Sequence, residues 1–300
     1  MTRHDSRTRP SRSLPVRAPA KINLTLRVLG TRADGYHELR TVFQTVALHD
    51  TVTVAAAGPR APLTLTCTLP GVPCDDRNLA WKAARALWQT AGRPGVPTGV
   101  AIHIAKRIPM EAGLGGGSSD AAATLRGLAR LWRLRLTRGD LALIGARIGA
   151  DVPFFLWGGT ALGLDRGDRI YPLADLPPAW VVLLLPAFGV STVEAYRWHD
   201  RWAAEGQPAP ARQLPAGWAL PGDEGGNDLE SPVAARHPEI GAMTAALGAA
   251  GATYAAMSGS GSAVFGLFAG REAAERAARR CGRAGWRALV TRTTGRLRWK

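Results

Sequence analysis

The chain has 300 residues, 46% hydrophobic and 20% charged, the composition of a globular protein with room for one large or two modest domains. Its longest apolar run, Trp180–Leu185 followed by Pro186, is far too short to span a bilayer. A net charge of +15 invites a nucleic-acid reading, but 12 of those charges sit in residues 1–17 and 271–300, and only four of the 38 basic residues are lysines. That distribution fits an arginine-biased composition with basic ends better than a binding stripe, so no nucleic-acid partner is expected. Cys67, Cys74 and Cys281 have no CxxC spacing and the six histidines no HxxxH pair. Neither a disulfide framework nor a zinc template is written here, and a reducing compartment, the cytoplasm, is expected.

In chain order, residues 1–17 are rich in Arg and Ser and lack an apolar segment, which reads as a disordered arm rather than a secretory signal. Ile22, Leu24, Leu26 and Val28 alternate as in a strand; Asp34-Gly35 marks a tight turn before a second alternating stretch. "DTVTVAAA" and "LTLTCTL" read as two further strands, and "NLAWKAARALWQTAG" as an amphipathic helix ended by Gly92. "GVAIHIAKRIP" returns to strand. A glycine-rich loop follows, then helices over about 119–134 and in "RGDLALIGARIG". Strands joined by the Asp165–Asp168 turn open the second half, and "WVVLLLP" reads as a central strand. Residues 205–226 look like loop. The rest runs helix, strand, strand, helix, strand, the order of a ferredoxin-like layer. The class is α+β, not strict β-α alternation.

The stretch "PMEAGLGGGSSDAAATL" lies between a strand and a helix. Gly113, Gly115, Gly116 and Gly117 let a ligand lie against bare N–H groups, and the following helix aims its unpaired amides and positive dipole end at the same spot. Ser118 and Ser119 add hydroxyls that could bond phosphate, hold a metal or merely cap the helix. No lysine follows Gly117, so this is not a Walker loop. No acid ends a strand about 20 residues on, so it is not a dinucleotide fingerprint either. Two residues elsewhere could do chemistry. Asp151 in "GADVPFF" is a candidate base and equally a helix N-cap. Lys21 in "APAKINL" is a lysine in an arginine-rich chain, placed in an apolar strand; it could supply a compact charge or simply snorkel from a strand end. Tyr36 and His37 after the turn offer a flat ring and ring nitrogens, as base recognition needs, or form an exposed hairpin tip.

Four stretches, "APAKINLTLRVLGTRADGYHELRTVFQTV", "IPMEAGLGGGSSDAAATL", "GADVPFFLWGGTALGLDRGD" and "MSGSGSAVFGLF", stand in the order typical of the GHMP kinase superfamily. The chain resembles that superfamily over about residues 18–290. The first stretch is similar to the branch acting on a cytidine-diphosphate-linked methylerythritol (CDP-methylerythritol). The resemblance implies a two-domain GHMP kinase architecture: a ribosomal protein S5 domain 2-like N-terminal domain, 18–165, and a ferredoxin-like C-terminal domain, 166–300, with the site between them. It implies ATP and Mg²⁺, with unknown metal ligands, in a monomer or homodimer. Lys21 and Asp151 match the catalytic pair. Asn23, Tyr36 and His37 match substrate positions, and Tyr196 looks like a second aromatic around the base. Pro109, Met110, Glu111, Ala112, Gly113, Leu114, Gly115, Gly116, Gly117, Ser118 and Ser119 match the ATP loop. Asn78, Leu79 and Lys106 match positions near the adenosine, and Ser258 to Ser262 a third motif behind the substrate. Glu111 departs from the small residues common at the loop entrance and is expected to point away from phosphate. Homoserine and mevalonate kinases are the same-class alternatives; neither explains Tyr36-His37.

Overall fold

A computed structural model describes residues 13–208, 212–215, 218 and 225–297. Most of the basic arm, part of the 205–226 loop and the last three residues lie outside the described residues.

Two long strands, β1 (Ser13–Thr31) and β2 (His37–Ala56), pair antiparallel around the Asp34-Gly35 turn. Ser13–Arg17, read as part of the arm, are the start of β1. β2 spans what the sequence suggests are two strands. The His49-Asp50 pair looks like a break, but Asp50 is fully buried in mid-strand because Lys106 and two backbone amides satisfy its carboxylate. β2 carries β5 (Thr160–Asp165) along its first half and β4 (Val100–Ala105) along its second. β3 (Thr64–Cys67), β6 (Arg169–Pro172) and the two-residue β8 (Gly226–Asn227) complete a seven-stranded sheet. β6 stays with its hairpin partner β5, so the chain changes sheets between Pro172 and Trp180, downstream of 165/166.

The second sheet has four strands, β7 (Trp180–Leu185), β9 (Tyr254–Met257), β10 (Val264–Phe268) and β11 (Arg287–Arg292), in the order β11-β7-β10-β9. With α7 (Glu239–Ala249) and α8 (Arg271–Arg283) as connections, this is the expected ferredoxin-like arrangement. β7 is internal and apolar on both faces, which is why it reads as an unbroken hydrophobic run.

Three cores stack the layers. One packs α1 (Leu79–Thr90), α2 (Gly116–Leu131), α3 (Arg138–Ala146) and the one-turn α4 (Phe154–Trp157) on the seven-stranded sheet. A second lies between the sheets, where Ile22, Leu24, Val42 and Leu114 meet Val181, Leu183 and Phe265. The third buries α5 (Thr192–Ala204), α6 (Glu230–Arg236), α7 and α8 on the four-stranded sheet. α5 and α6 carry no clear apolar stripe in the sequence; only Ala195 of α5 is buried.

Candidate active site between the two sheets

A cavity of about 1000 Å³ opens where β1, the glycine loop, the turn before α4, α5 and the Ser258–Ser262 turn converge. It gathers Lys21, Asn23, Tyr36, His37, Asn78, Leu79, Lys106, residues 109–118, Asp151 and Tyr196. Of the site residues read from the sequence, Ser119, buried in α2, and Ser258 and Ser262 of the third motif lie behind its wall.

Lys21 and Asn23 share a face of β1 through the two-residue period of a strand. The Lys21 side chain is almost fully buried; its Nζ lies 3.7 Å from Asp151 Oδ2 and donates to Asn23 Oδ1 at 2.5 Å. Asn23 Nδ2 donates to Thr41 Oγ1 at 2.8 Å, and Thr41 donates to the Thr25 carbonyl at 2.7 Å. Asn23 thus serves Lys21 directly, its amide orientation fixed by Thr41. Burial pushes the Lys21 ammonium below the usual lysine range, and the Asp151 carboxylate opposes that shift. Asp151 stays partly open to the cavity, at 31% side-chain exposure, so one end of the pair is accessible and the other is not.

The glycine loop is tied on both sides. The Leu114 carbonyl accepts from Lys21 N–H, the Ala112 carbonyl from Ala263 N–H, and the Gly113 carbonyl from Ser258 Oγ. Gly113 and Gly115 adopt φ of +69° and +70°. A Cβ on Gly113 would meet the Ser258 carbonyl at 1.9 Å. α2 begins at Gly116, three residues before the predicted start, capped by Gly115 with no side-chain cap bond. Ser119 is therefore inside the helix rather than its N-cap, and its buried Oγ has no hydrogen-bond partner among the described residues. Free amides and a backbone bare of Cβ atoms fit an anionic phosphate chain. Glu111, at φ +51°, packs its carboxylate side against Gly189.

Lys106 does not reach into the cavity as a free charge. Its ammonium donates to Asp50 at 2.5 Å and Asp120 at 2.8 Å beneath Gly116. Burial, opposed by Lys106 and helped by Asp50, raises the Asp120 carboxyl to about 7. Asn78 caps α1, accepting from Ala80 N–H at 2.9 Å, and Leu79 lies against the loop at Gly117.

At the far end Tyr36 is 57% exposed, with the Arg166 guanidinium 5.1 Å over its ring. Tyr196 does not face Tyr36 as an open slot. His37 stacks on it at 4.6 Å with planes 22° apart, and burial raises the Tyr196 phenol, with the Asp151 charge adding. His37 Nε2 is 2.7 Å from Asp200 Oδ1. Asp50, Asp120, Arg166 and Asp200 escape sequence reading because nothing local marks them; they matter through partners 14 to 163 positions away. The third motif is held by Asn227, which donates to the Met257 and Gly259 carbonyls, and by Ser262 Oγ on the Phe188 carbonyl.

The models of the GHMP kinase N-terminal and C-terminal domains match residues 78–159 and 216–288. The chain is similar to the 4-diphosphocytidyl-2-C-methyl-D-erythritol kinase of Anaeromyxobacter dehalogenans (strain 2CP-C), 47% identical over 93% of this chain and 90% of the relative. It is 46% identical to that of Moorella thermoacetica (strain ATCC 39073 / JCM 9320) over 93% of this chain and 99% of the relative. A crystal structure of 4-(cytidine 5'-diphospho)-2C-methyl-D-erythritol kinase superposes with a TM-score of 0.72 at 38% identity, covering 94% of this chain and all of that one. Homoserine kinase from Cytophaga hutchinsonii shares the fold, at a TM-score of 0.68 and 19% identity over 95% of each chain. The chain belongs to the GHMP kinases and, within them, to the 4-diphosphocytidyl-2-C-methyl-D-erythritol kinase family.

Proposed function

We propose that the protein transfers the γ-phosphoryl group of ATP to the 2-hydroxyl of 4-diphosphocytidyl-2-C-methyl-D-erythritol, a step of the non-mevalonate isoprenoid pathway. The observation that carries this reading is the Lys21–Asp151 pair, 3.7 Å apart, in one cavity with an uncapped glycine loop. Asp151 takes the proton of the 2-hydroxyl as that oxygen bonds the γ-phosphorus and ADP departs. Lys21 pairs with Asp151 and offsets the charge growing on the transferred group; its burial makes that field stronger than at a surface. Asn23 and Thr41 hold Lys21 in place for both tasks. The loop amides and the start of α2 bind the phosphate chain, with Leu79 and Asn78 beside it. Mg²⁺ would supply charge neutralisation on the phosphates, with the Ser118 hydroxyl at the start of α2 as a candidate ligand. Tyr36 stacks on the cytosine and His37 bonds its edge. No helix of the described residues is long and apolar enough to cross a membrane; the three cysteines are free, which supports a reducing compartment, the cytoplasm.

The test is ATP consumption by purified protein with CDP-methylerythritol, homoserine or mevalonate. Turnover is expected with the first; faster phosphorylation of either small alcohol would sink the assignment.

A further inference from the structure

We propose that Asp200 fixes the tautomer of His37 and so makes the base end of the cavity select an amino group over a keto oxygen, cytosine over uracil. This deepens, and rests on, the reading of the cavity as a site for a cytidine diphosphate compound.

His37 is held in a defined plane. Its side chain is only 11% exposed and stacks on Tyr196. Asp200 lies four residues after Tyr196 on α5, so one face of one helix supplies both the stacking ring and the carboxylate. His37, Tyr196 and Asp200 all line the cavity. Asp200 Oδ1 is 2.7 Å from His37 Nε2, and a carboxylate oxygen can only accept, so Nε2 carries the hydrogen. In a neutral imidazole Nδ1 is then left as the acceptor. The two pyrimidines of ribonucleotides differ in this respect at position 4: cytosine presents an N–H donor, uracil an acceptor oxygen. An acceptor nitrogen at that edge bonds the first and repels the second; the opposite tautomer would reverse the preference. The other imidazole in reach, His199, has its Nδ1 3.6 Å from the same Asp200 oxygen, beyond hydrogen-bond range, and that nitrogen has no partner among the described residues. The short bond therefore belongs to His37. Asp200 is a positioning residue: it acts on the base through the imidazole.

The experiment compares kcat/KM for the CDP-linked compound and its UDP-linked analogue. The wild type is expected to favour cytidine. Asp200→Ala should lower the cytidine-to-uridine ratio by about tenfold or more, by losing cytidine activity and gaining uridine activity. Asp200→Glu, which keeps a carboxylate in reach, should restore much of the ratio. General damage to α5 would lower both activities together. In ¹⁵N spectra of labelled histidine, the wild-type His37 ring should show protonated Nε2 and bare Nδ1, and the alanine variant should lose that state. An unchanged ratio in Asp200→Ala, or a protonated Nδ1 in the neutral wild-type ring, overturns the proposal. Absence of any turnover by the wild type overturns the kinase reading with it, whereas turnover with an unaltered ratio overturns this inference alone.

Discussion

At the scale of single residues, the site separates a buried cation from an accessible carboxylate. Asp151→Asn should lower kcat by about 10²- to 10⁴-fold. ATP binding, measured by calorimetry, should persist because the glycine loop keeps its ties to β1 and Ser258. Near-wild-type turnover would remove Asp151 as the base. Tyr36→Ala should act differently, raising the KM of the cytidine substrate by up to about tenfold for each 1.4 kcal/mol of stacking lost. Asp120 gives a pH prediction. Its carboxyl, raised from 3.8 to about 7 chiefly by burial, holds its proton to higher pH than it does in the unfolded chain. Its contribution to stability is therefore full below 3.8 and is lost as pH rises through 7. Thermal unfolding followed from about pH 5 to about pH 8 should show a flatter decline in Asp120→Asn than in the wild type. Equal slopes would mean that Asp120 does not hold the proton. Lys21 stands out in the sequence as a lysine in an apolar strand of an arginine-rich chain, whereas Asp151, Tyr36 and His37 are singled out by the motifs they share with the family. Asp50, Asp120 and Asp200 look ordinary there, and only their distant partners give them meaning.

At the scale of elements, the glycine loop shows how the backbone shapes one wall of the cavity. Gly113 is fixed twice, by its positive φ and by the Ser258 carbonyl in the space a side chain would need. Gly113→Ala should cost about 1–3 kcal/mol in backbone strain alone. Because the clash is with backbone, the loop must also pull away from the third motif, so the ATP KM should rise together with a fall in Tm. A variant with wild-type Tm and KM would show that the loop tolerates another path. The sequence places this loop between strand and helix correctly but starts α2 late, since Ser119 and Asp120 look like capping residues. The helix instead starts from Gly115 in the left-handed region, which leaves the first amides of α2 without a side-chain cap. β2 is misread for a related reason: a polar pair in an apolar stretch looks like a turn until Lys106 arrives from β4's end to bury Asp50.

At the scale of the molecule, the core between the sheets draws side chains from both, and the Tyr254 hydroxyl on β9 donates across it to the Leu24 carbonyl of β1 at 2.7 Å. Thr294 N–H and the Thr45 carbonyl add a further tie. The two sheets should therefore melt as one cooperative unit. Scanning calorimetry of the ligand-free protein is expected to give a single transition, and two resolved transitions would show that the shared core is not decisive. The sequence by itself determines the class, most elements, the ferredoxin-like order and the place of the glycine loop between strand and helix. Those follow from periodicity, glycine placement and helix termini, which are local. The tertiary structure alone decides that Lys21 meets Asp151 across 130 positions, that His37 rather than Tyr36 stacks on Tyr196, and that Lys106 is neutralised beneath the loop. These depend on distances between segments remote along the chain, and a charge or a ring acquires its chemistry only when its neighbours displace the water around it.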